Sequence, residues 1–104
     1  MTERHELTTT LWRWTGSNGV GWFFITIDGA AGEAITATAL MRRLEGVGTR
    51  GFGSVKVRAT IGQSCWSTSV FPAKEGGYML PVKVAIRKTE GLSEGDEFTL
   101  VLEF

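Results

Sequence analysis

The sequence has few of the residues on which disulfide-bonded and metal-binding proteins depend. Among its 104 residues there are one cysteine and one histidine, which excludes an internal disulfide framework and leaves no ligand set for zinc. Long apolar runs are also missing: no stretch approaches the roughly 20 apolar residues of a membrane span, and the N-terminus has no signal-peptide core. We therefore expect a protein of the reducing cytoplasm, without a metal, a cofactor or a membrane partner.

The chain has no excess of charge of either sign. Its 11 basic and 11 acidic side chains balance, so it lacks the overall field that draws proteins to nucleic acid or to anionic membranes. The charges are unevenly spread, because Glu45 is the only acidic residue between positions 42 and 58. Such a segment suits an anionic partner, although charge runs are more often solvated faces. Its basic residues are Arg42, Arg43, Arg50, Lys56 and Arg58.

The sequence contains no recognisable reaction centre. Cys65 has no histidine to activate it, since His5 lies in an N-terminal tail that we expect to be frayed, and we expect Cys65 to be a small buried residue of a strand or its turn. Residues 46–51 match the letters of the dinucleotide fingerprint G-x-G-x-x-G. They follow a predicted helix and lead into a predicted strand, the reverse of the order that aims backbone amides at a pyrophosphate. An enzyme is therefore the least supported class of function.

Alternation, helical periodicity and turn residues predict strands and helices in the order β-β-α-β-β-β-α-β. Two strands around a turn at residues 16–19 form a first hairpin, and a helix follows from Gly32 to about Leu44. A glycine-rich connection then leads to a strand at residues 55–61. A turn joins it to a second strand, and a third strand ends at Leu80.

The C-terminal segment gives the clearest pattern. Pro81 suits the first turn of a helix, where its missing N–H costs nothing, and Gly91 suits the end of that helix. Residues 93–96 are typical of a turn, and the alternation over residues 98–104 predicts a half-buried strand.

The order strand, helix, glycine-containing turn, strand occurs twice, first across residues 24–61 and again across residues 78–104. We interpret these stretches as an internal duplication. Each half alone would expose one apolar sheet face, so we expect the halves to pack around a pseudo-twofold axis and to close a barrel. This predicts a single mainly β domain over residues 1–104, a double-split β-barrel with two short helices.

Motifs rich in tryptophan, glycine and valine lie in a fixed order along the chain. They occupy residues 11–14, 21–23, 51–57, 59–62, 66–72, 78–83 and 91–96. As a set they resemble the bacterial domain-of-unknown-function family numbered nineteen hundred and five, from about Glu6 to Phe104. This resemblance implies a double-split β-barrel with both halves in one chain, and it implies no activity. A shorter match, to the AbrB/MazE-type transition regulators and antitoxins, is carried by Leu80-Pro81, Arg87, Gly91-Leu92 and Gly95-Asp96.

We interpret the chain as a small non-enzymatic binding module, a monomer or weak dimer, whose partner is an unknown protein or a small anionic ligand. Trp12 and Trp14 lie on the strand face opposite Leu11 and are expected to be partly exposed, whereas at least two of the four tryptophans should be core. One alternative is a nucleic-acid-binding barrel, by analogy with AbrB-type regulators; another is an enzyme or carrier for a small anionic ligand. The predicted contact region comprises Trp12, Trp14, Arg42, Arg43, Arg50, Lys56 and Arg58.

Overall fold

The computed structural model describes residues 3–16, 18–45 and 54–104. Within these ranges, strands and helices follow the predicted order β-β-α-β-β-β-α-β, so the mainly β fold class is confirmed. The elements are β1 (Arg4–Thr15), β2 (Gly21–Ile27), α1 (Gly29–Leu44), β3 (Val55–Ile61), β4 (Ser64–Pro72), β5 (Tyr78–Pro81), α2 (Val84–Glu90) and β6 (Glu97–Glu103).

The strands close into a barrel in the order β1-β2-β5-β4-β3-β6, and neighbouring strands are antiparallel throughout. The barrel consists of two sheets, which we call the halves of the barrel: β3 and β6 belong to one, β2 and β5 belong to the other, and β1 and β4 run through both. Residues 4–10 of β1 pair with β6, and residues 11–15 pair with β2. In the same way, β4 pairs with β3 through Val70 and with β5 at Phe71 and Pro72. Closing the ring removes the free edges that two separate sheets would expose.

The ring of paired strands is two-fold symmetric. Exchanging β1 with β4, β2 with β5 and β3 with β6 leaves every neighbour relation unchanged. The same exchange relates α1, which follows β2, to α2, which follows β5. The pairing therefore has the symmetry that an internal duplication predicts, although α1 spans 16 residues and α2 only 7.

Aliphatic side chains from alternating strand positions fill the barrel interior. On β3 the predicted inward residues Val55, Val57, Ala59 and Ile61 are buried, whereas Lys56 between two of them is exposed. Burial of each valine, leucine or isoleucine side chain stabilises the fold by about 1.5–3 kcal/mol, which makes this interior the main source of stability. The largest fully buried side chains are Leu11, Ile25, Ile27, Ile35, Leu80, Leu100, Leu102, Val55 and Val70.

α1 begins at Gly29, earlier than the predicted start at Gly32. Asp28 before it has an extended backbone, and the Gly32 N–H already donates to the Asp28 carbonyl at 3.2 Å. The predicted start therefore fell on the residue that donates the first intrahelical hydrogen bond, one turn inside the helix.

α2 begins at Val84, so the prediction that Pro81 opens this helix is wrong. Pro81 is the last residue of β5. The following Val82 N–H donates to the Phe23 carbonyl at 2.9 Å, which prolongs the pairing of β5 with β2 and delays the helix. The predicted end is confirmed: Gly91 adopts the left-handed conformation with φ 65° and ψ 37°.

Fewer tryptophans lie in the core than the sequence predicts, although Trp12 and Trp14 are partly exposed as expected. Trp14 is 53% exposed and Trp22 is 54% exposed, whereas Trp12 is half-buried. Trp66 is the one tryptophan that packs against the described core, so the prediction of at least two core tryptophans is wrong. The physical reason is that aliphatic residues fill the interior of this six-stranded barrel and leave room there for few rings.

Two further expectations fail for residues on strands. His5 is not in a frayed tail, because it pairs with Leu102 and its ring stacks on Phe104 with 5.4 Å between centroids. Cys65 is exposed instead of buried, because it points outward from β4 between the partly buried Ser64 and Trp66.

Candidate functional site

Four aromatic side chains and a methionine form a pocket on the outer face of β1, β2 and β5. We call it the aromatic pocket; its volume is about 380 Å³, and it is lined by Trp12, Trp14, Trp22, Phe24 and Met79. Strand alternation accounts for the arrangement, because Leu11 and Ile25 of the same strands point into the barrel. Residues next to them in sequence must therefore point outward.

Strand register brings the four rings together. Trp14 lies opposite Trp22, and Trp12 lies opposite Phe24. The Trp12 and Phe24 ring centroids are 5.2 Å apart with planes tilted by 33°. Such cross-strand aromatic pairs stabilise a hairpin by roughly 0.2–1 kcal/mol each and keep the rings in place without a ligand. The pocket is thus preformed by the pairing of β1 with β2.

Two local contacts orient the tryptophan rings. The Trp12 Nε1–H donates to the Thr26 hydroxyl at 2.9 Å. The Trp14 ring lies next to Gly16. A Cβ added at position 16 would lie 3.2 Å from the Trp14 ring atom Cζ3 and 3.1 Å from Oδ1 of Asn18. Glycine at position 16 therefore leaves the space that the Trp14 ring occupies.

The aromatic pocket is uncharged. Among the described residues that line it, none carries a titratable group. Tryptophan and phenylalanine faces attract flat rings by offset stacking and edge-to-face contacts, and they also attract cations, whereas a pocket of this composition offers no counter-ion to an anionic group. Its chemistry therefore suits an aromatic ring that carries no negative charge.

Lys56 and Arg58 line a different pocket from the tryptophans. They point outward from β3 into a groove of about 450 Å³ that also contacts Ser67, Ser69 and Glu103. We call it the β3–β4 groove. Of its described lining residues, none lines the aromatic pocket.

The remaining basic residues of the predicted contact region lie elsewhere. Arg42, at the C-terminal end of α1, lines a third pocket together with Glu3 and Met41. Arg43 is exposed on the same helix, and Arg50 lies outside the described residues. The structure thus brings Trp12 and Trp14 together, and Lys56 and Arg58 together, but it places the two pairs in separate pockets.

Sequence reasoning missed three members of the aromatic pocket: Trp22, Phe24 and Met79. The signal for Trp22 and Phe24 was present, because a short turn at residues 16–19 sets the register that places them opposite Trp14 and Trp12. Met79 gave no such signal. Its place depends on β5 pairing with β2, which are distant in sequence.

Cys65 lies beside the β3–β4 groove and contacts one of its cations. The Arg58 Nε–H donates to Cys65 Sγ at 3.1 Å. Hydrogen bonds from Thr60 and Arg58 lower the pKa of the Cys65 thiol below its ordinary value, and the contact with Cys65 raises the pKa of Arg58. Both groups are solvent-exposed, so water screens this interaction.

Most of the chain matches one protein family. A family model described as "Domain of unknown function (DUF1905)" matches residues 8–102. This stretch includes every described residue that lines the aromatic pocket. Among proteins with curated functions, none matches the sequence. Neither of the described helices is long and apolar enough to cross a membrane.

Proposed function

We propose a function from the surface of this chain, because the chain belongs to the DUF1905 family and the description of that family, a domain of unknown function, names no activity. The protein is a binding module that holds an uncharged aromatic ring in the aromatic pocket. One observation carries this proposal. Trp14 and Trp22 face each other across two strands, and about half of each side chain is exposed. Large apolar surfaces of this kind, gathered in one place, mark binding sites on soluble proteins.

The size and lining of the aromatic pocket support a small ring as the ligand. Its volume of about 380 Å³ falls in the range of small-molecule sites. Stacking of one ring on another contributes about 0.5–1.5 kcal/mol beyond the burial of apolar area. Since Trp12 is already fixed by Thr26, a ligand ring would meet a rigid wall and lose little affinity to reordering of side chains.

The test is a titration with indole, an uncharged fused ring, followed by the NMR signals of the tryptophan side-chain N–H groups. For a fragment of this size we expect a Kd on the order of 1 mM. Cyclohexanol, which cannot stack, should bind more weakly. Trp14→Ala and Trp22→Ala should each weaken indole binding by about fivefold to tenfold, because each removes one stacking face.

Leu40→Ala is the matched control. Leu40 is 52% exposed, much like the two tryptophans, but it lies on α1 outside the aromatic pocket. Its removal should leave the indole affinity unchanged. Equal loss in Leu40→Ala and Trp14→Ala, or equal affinity for indole and cyclohexanol, would show that indole binds to apolar surface without using this pocket.

We also propose that the protein acts in the cytoplasm. Its single cysteine, Cys65, is a free and exposed thiol, which suits a reducing compartment.

A further inference from the structure

We propose that the β3–β4 groove is a second binding site, which holds the phosphate or carboxylate group of a small hydroxylated ligand between Lys56, Arg58 and the hydroxyls of Ser67 and Ser69. The described residues that line this groove and those that line the aromatic pocket do not overlap, so the groove can bind its ligand whatever the aromatic pocket binds.

Strand register pairs each cation of the groove with a hydroxyl. Lys56 lies opposite Ser69, and Arg58 lies opposite Ser67. Alternate residues of an antiparallel pair share one face, with opposite Cβ atoms about 4.5–5.5 Å apart. Two ammonium or guanidinium donors and two neutral hydroxyl donors therefore face the same groove of about 450 Å³.

The protein itself neutralises these cations only in part, because neither forms a close ion pair with a described carboxylate. No described carboxylate lies within 4.0 Å of the charged nitrogens of Lys56 or Arg58. Among the described residues, Arg4 and Glu6 near the N-terminus form such an ion pair. Arg58 uses Nε to contact Cys65, which leaves the terminal nitrogens of its guanidinium for a ligand. Guanidinium groups bind oxyanions through such paired N–H donors.

Glu103 restricts the kind of anion. It lines the groove and lies opposite Arg58 on β6. With two cations and one carboxylate, the groove has a small positive charge that suits one anionic group and disfavours a polyanion. A carboxylate can only accept hydrogen bonds, so a ligand hydroxyl next to the anionic group would find its acceptor in Glu103.

Cys65 provides a reporter for the occupancy of this groove. An anion bound to Arg58 offsets the positive charge that stabilises the Cys65 thiolate, so it should slow alkylation of this thiol. The chain has no other cysteine, so the rate of iodoacetamide modification reports on this position alone.

The experiment measures the rate of Cys65 alkylation at neutral pH as a function of the glycerol 3-phosphate concentration. Sodium chloride at the same ionic strength is the reference. Relative to sodium chloride, we expect a saturable slowing of about threefold with glycerol 3-phosphate and a weaker slowing with inorganic phosphate; chloride itself should give only weak screening that does not saturate. Lys56→Gln should shift the saturation to at least about fivefold higher concentration, because one cation is lost. Lys74→Gln, an equal change of charge in the exposed connection between β4 and β5 and outside the groove, should leave the curve unchanged.

Several results would overturn the proposal. Slowing that never saturates, or that sodium chloride reproduces, would show that general screening accounts for the effect. An unchanged curve in Lys56→Gln would place the anion elsewhere. NMR shifts of the backbone amides of Ser67 and Ser69 provide a second readout that does not involve Cys65, and their absence at saturation would contradict the site. If a short oligothymidylate bound more tightly than glycerol 3-phosphate, the groove would be a nucleic-acid site and the proposed small ligand would be wrong.

Discussion

At the scale of single residues, the turn before β6 shows how one side chain holds a connection. Asp96 Oδ2 accepts a hydrogen bond from the Ser93 N–H at 2.7 Å, and the Ser93 carbonyl accepts one from the Asp96 N–H at 3.0 Å. Gly91, just before this turn, is left-handed. Both roles could be predicted from the sequence, because they depend on residue types within one short stretch.

Asp96→Ala should therefore destabilise the protein by about 1 kcal/mol through the lost hydrogen bond, and Gly91→Val by at least about 1 kcal/mol through backbone strain. Urea denaturation gives both values. Indole affinity should be unchanged in the folded variants, because neither residue lines the aromatic pocket. Normal stability of Asp96→Ala together with lost binding would instead place the functional site at this turn.

The lowered pKa of Cys65 leads to a second prediction at this scale. A thiol whose pKa is lowered carries more thiolate at neutral pH than an ordinary cysteine, so Cys65 should be alkylated faster than a free cysteine peptide. Arg58→Gln removes one of the causes, should raise this pKa towards the ordinary value and should slow the reaction at neutral pH. The measurement is the alkylation rate against pH. Identical profiles for wild type and Arg58→Gln would contradict the contact.

At the scale of the elements, the hairpin of β1 and β2 builds the aromatic pocket. Its outward residues follow from alternation, which the sequence displays. The inclusion of Met79 and the separation of Trp12 from Lys56 could not be predicted, because both depend on which strands pair across the barrel. The predicted start of α2 was wrong for a related reason. A hydrogen bond from Val82 to β2, which is distant in sequence, overrides the local preference of proline for the first turn of a helix.

Gly16→Ala tests the role of the turn in this hairpin. The new Cβ would lie 3.2 Å from the Trp14 ring, so the ring must move. We expect shifted NMR signals for Trp14 and an indole affinity reduced by about threefold or more, because stacking depends on ring position. The cost in stability should stay below about 1 kcal/mol, since Gly16 is only partly buried and its φ is not positive. An unchanged Trp14 signal would show that Gly16 does not position this ring.

At the scale of the whole molecule, closure of the barrel couples its two halves. β1 and β4 each pair with strands of both halves, so neither half retains its pairing without the other. The order of elements could be predicted from alternation and glycine positions, and the symmetric pairing from the repeated pattern. β1 and β4 change pairing partners at Leu11 and Phe71, and no local sequence pattern predicts these positions. The relation to the AbrB/MazE fold stays a prediction.

This coupling predicts that the barrel unfolds in one transition. Leu100→Ala, at a fully buried position of β6, should destabilise it by about 2–5 kcal/mol, whereas Leu40→Ala on the surface should cost less than about 1 kcal/mol. Urea denaturation followed by tryptophan fluorescence and by circular dichroism should give coincident curves for both variants. Separate transitions for the two probes would show that the halves fold independently.

The most direct test of the central claim, that the aromatic pocket is a binding site for rings, is a ligand-observed NMR screen of a mixed fragment library against the wild type and Trp14→Ala. No ligand is assumed in advance. We expect the wild-type hits to be mainly uncharged aromatic fragments, and most of them to be lost in Trp14→Ala while Leu40→Ala retains them. Hits that are mainly aliphatic or anionic, or that persist in Trp14→Ala, would contradict the account.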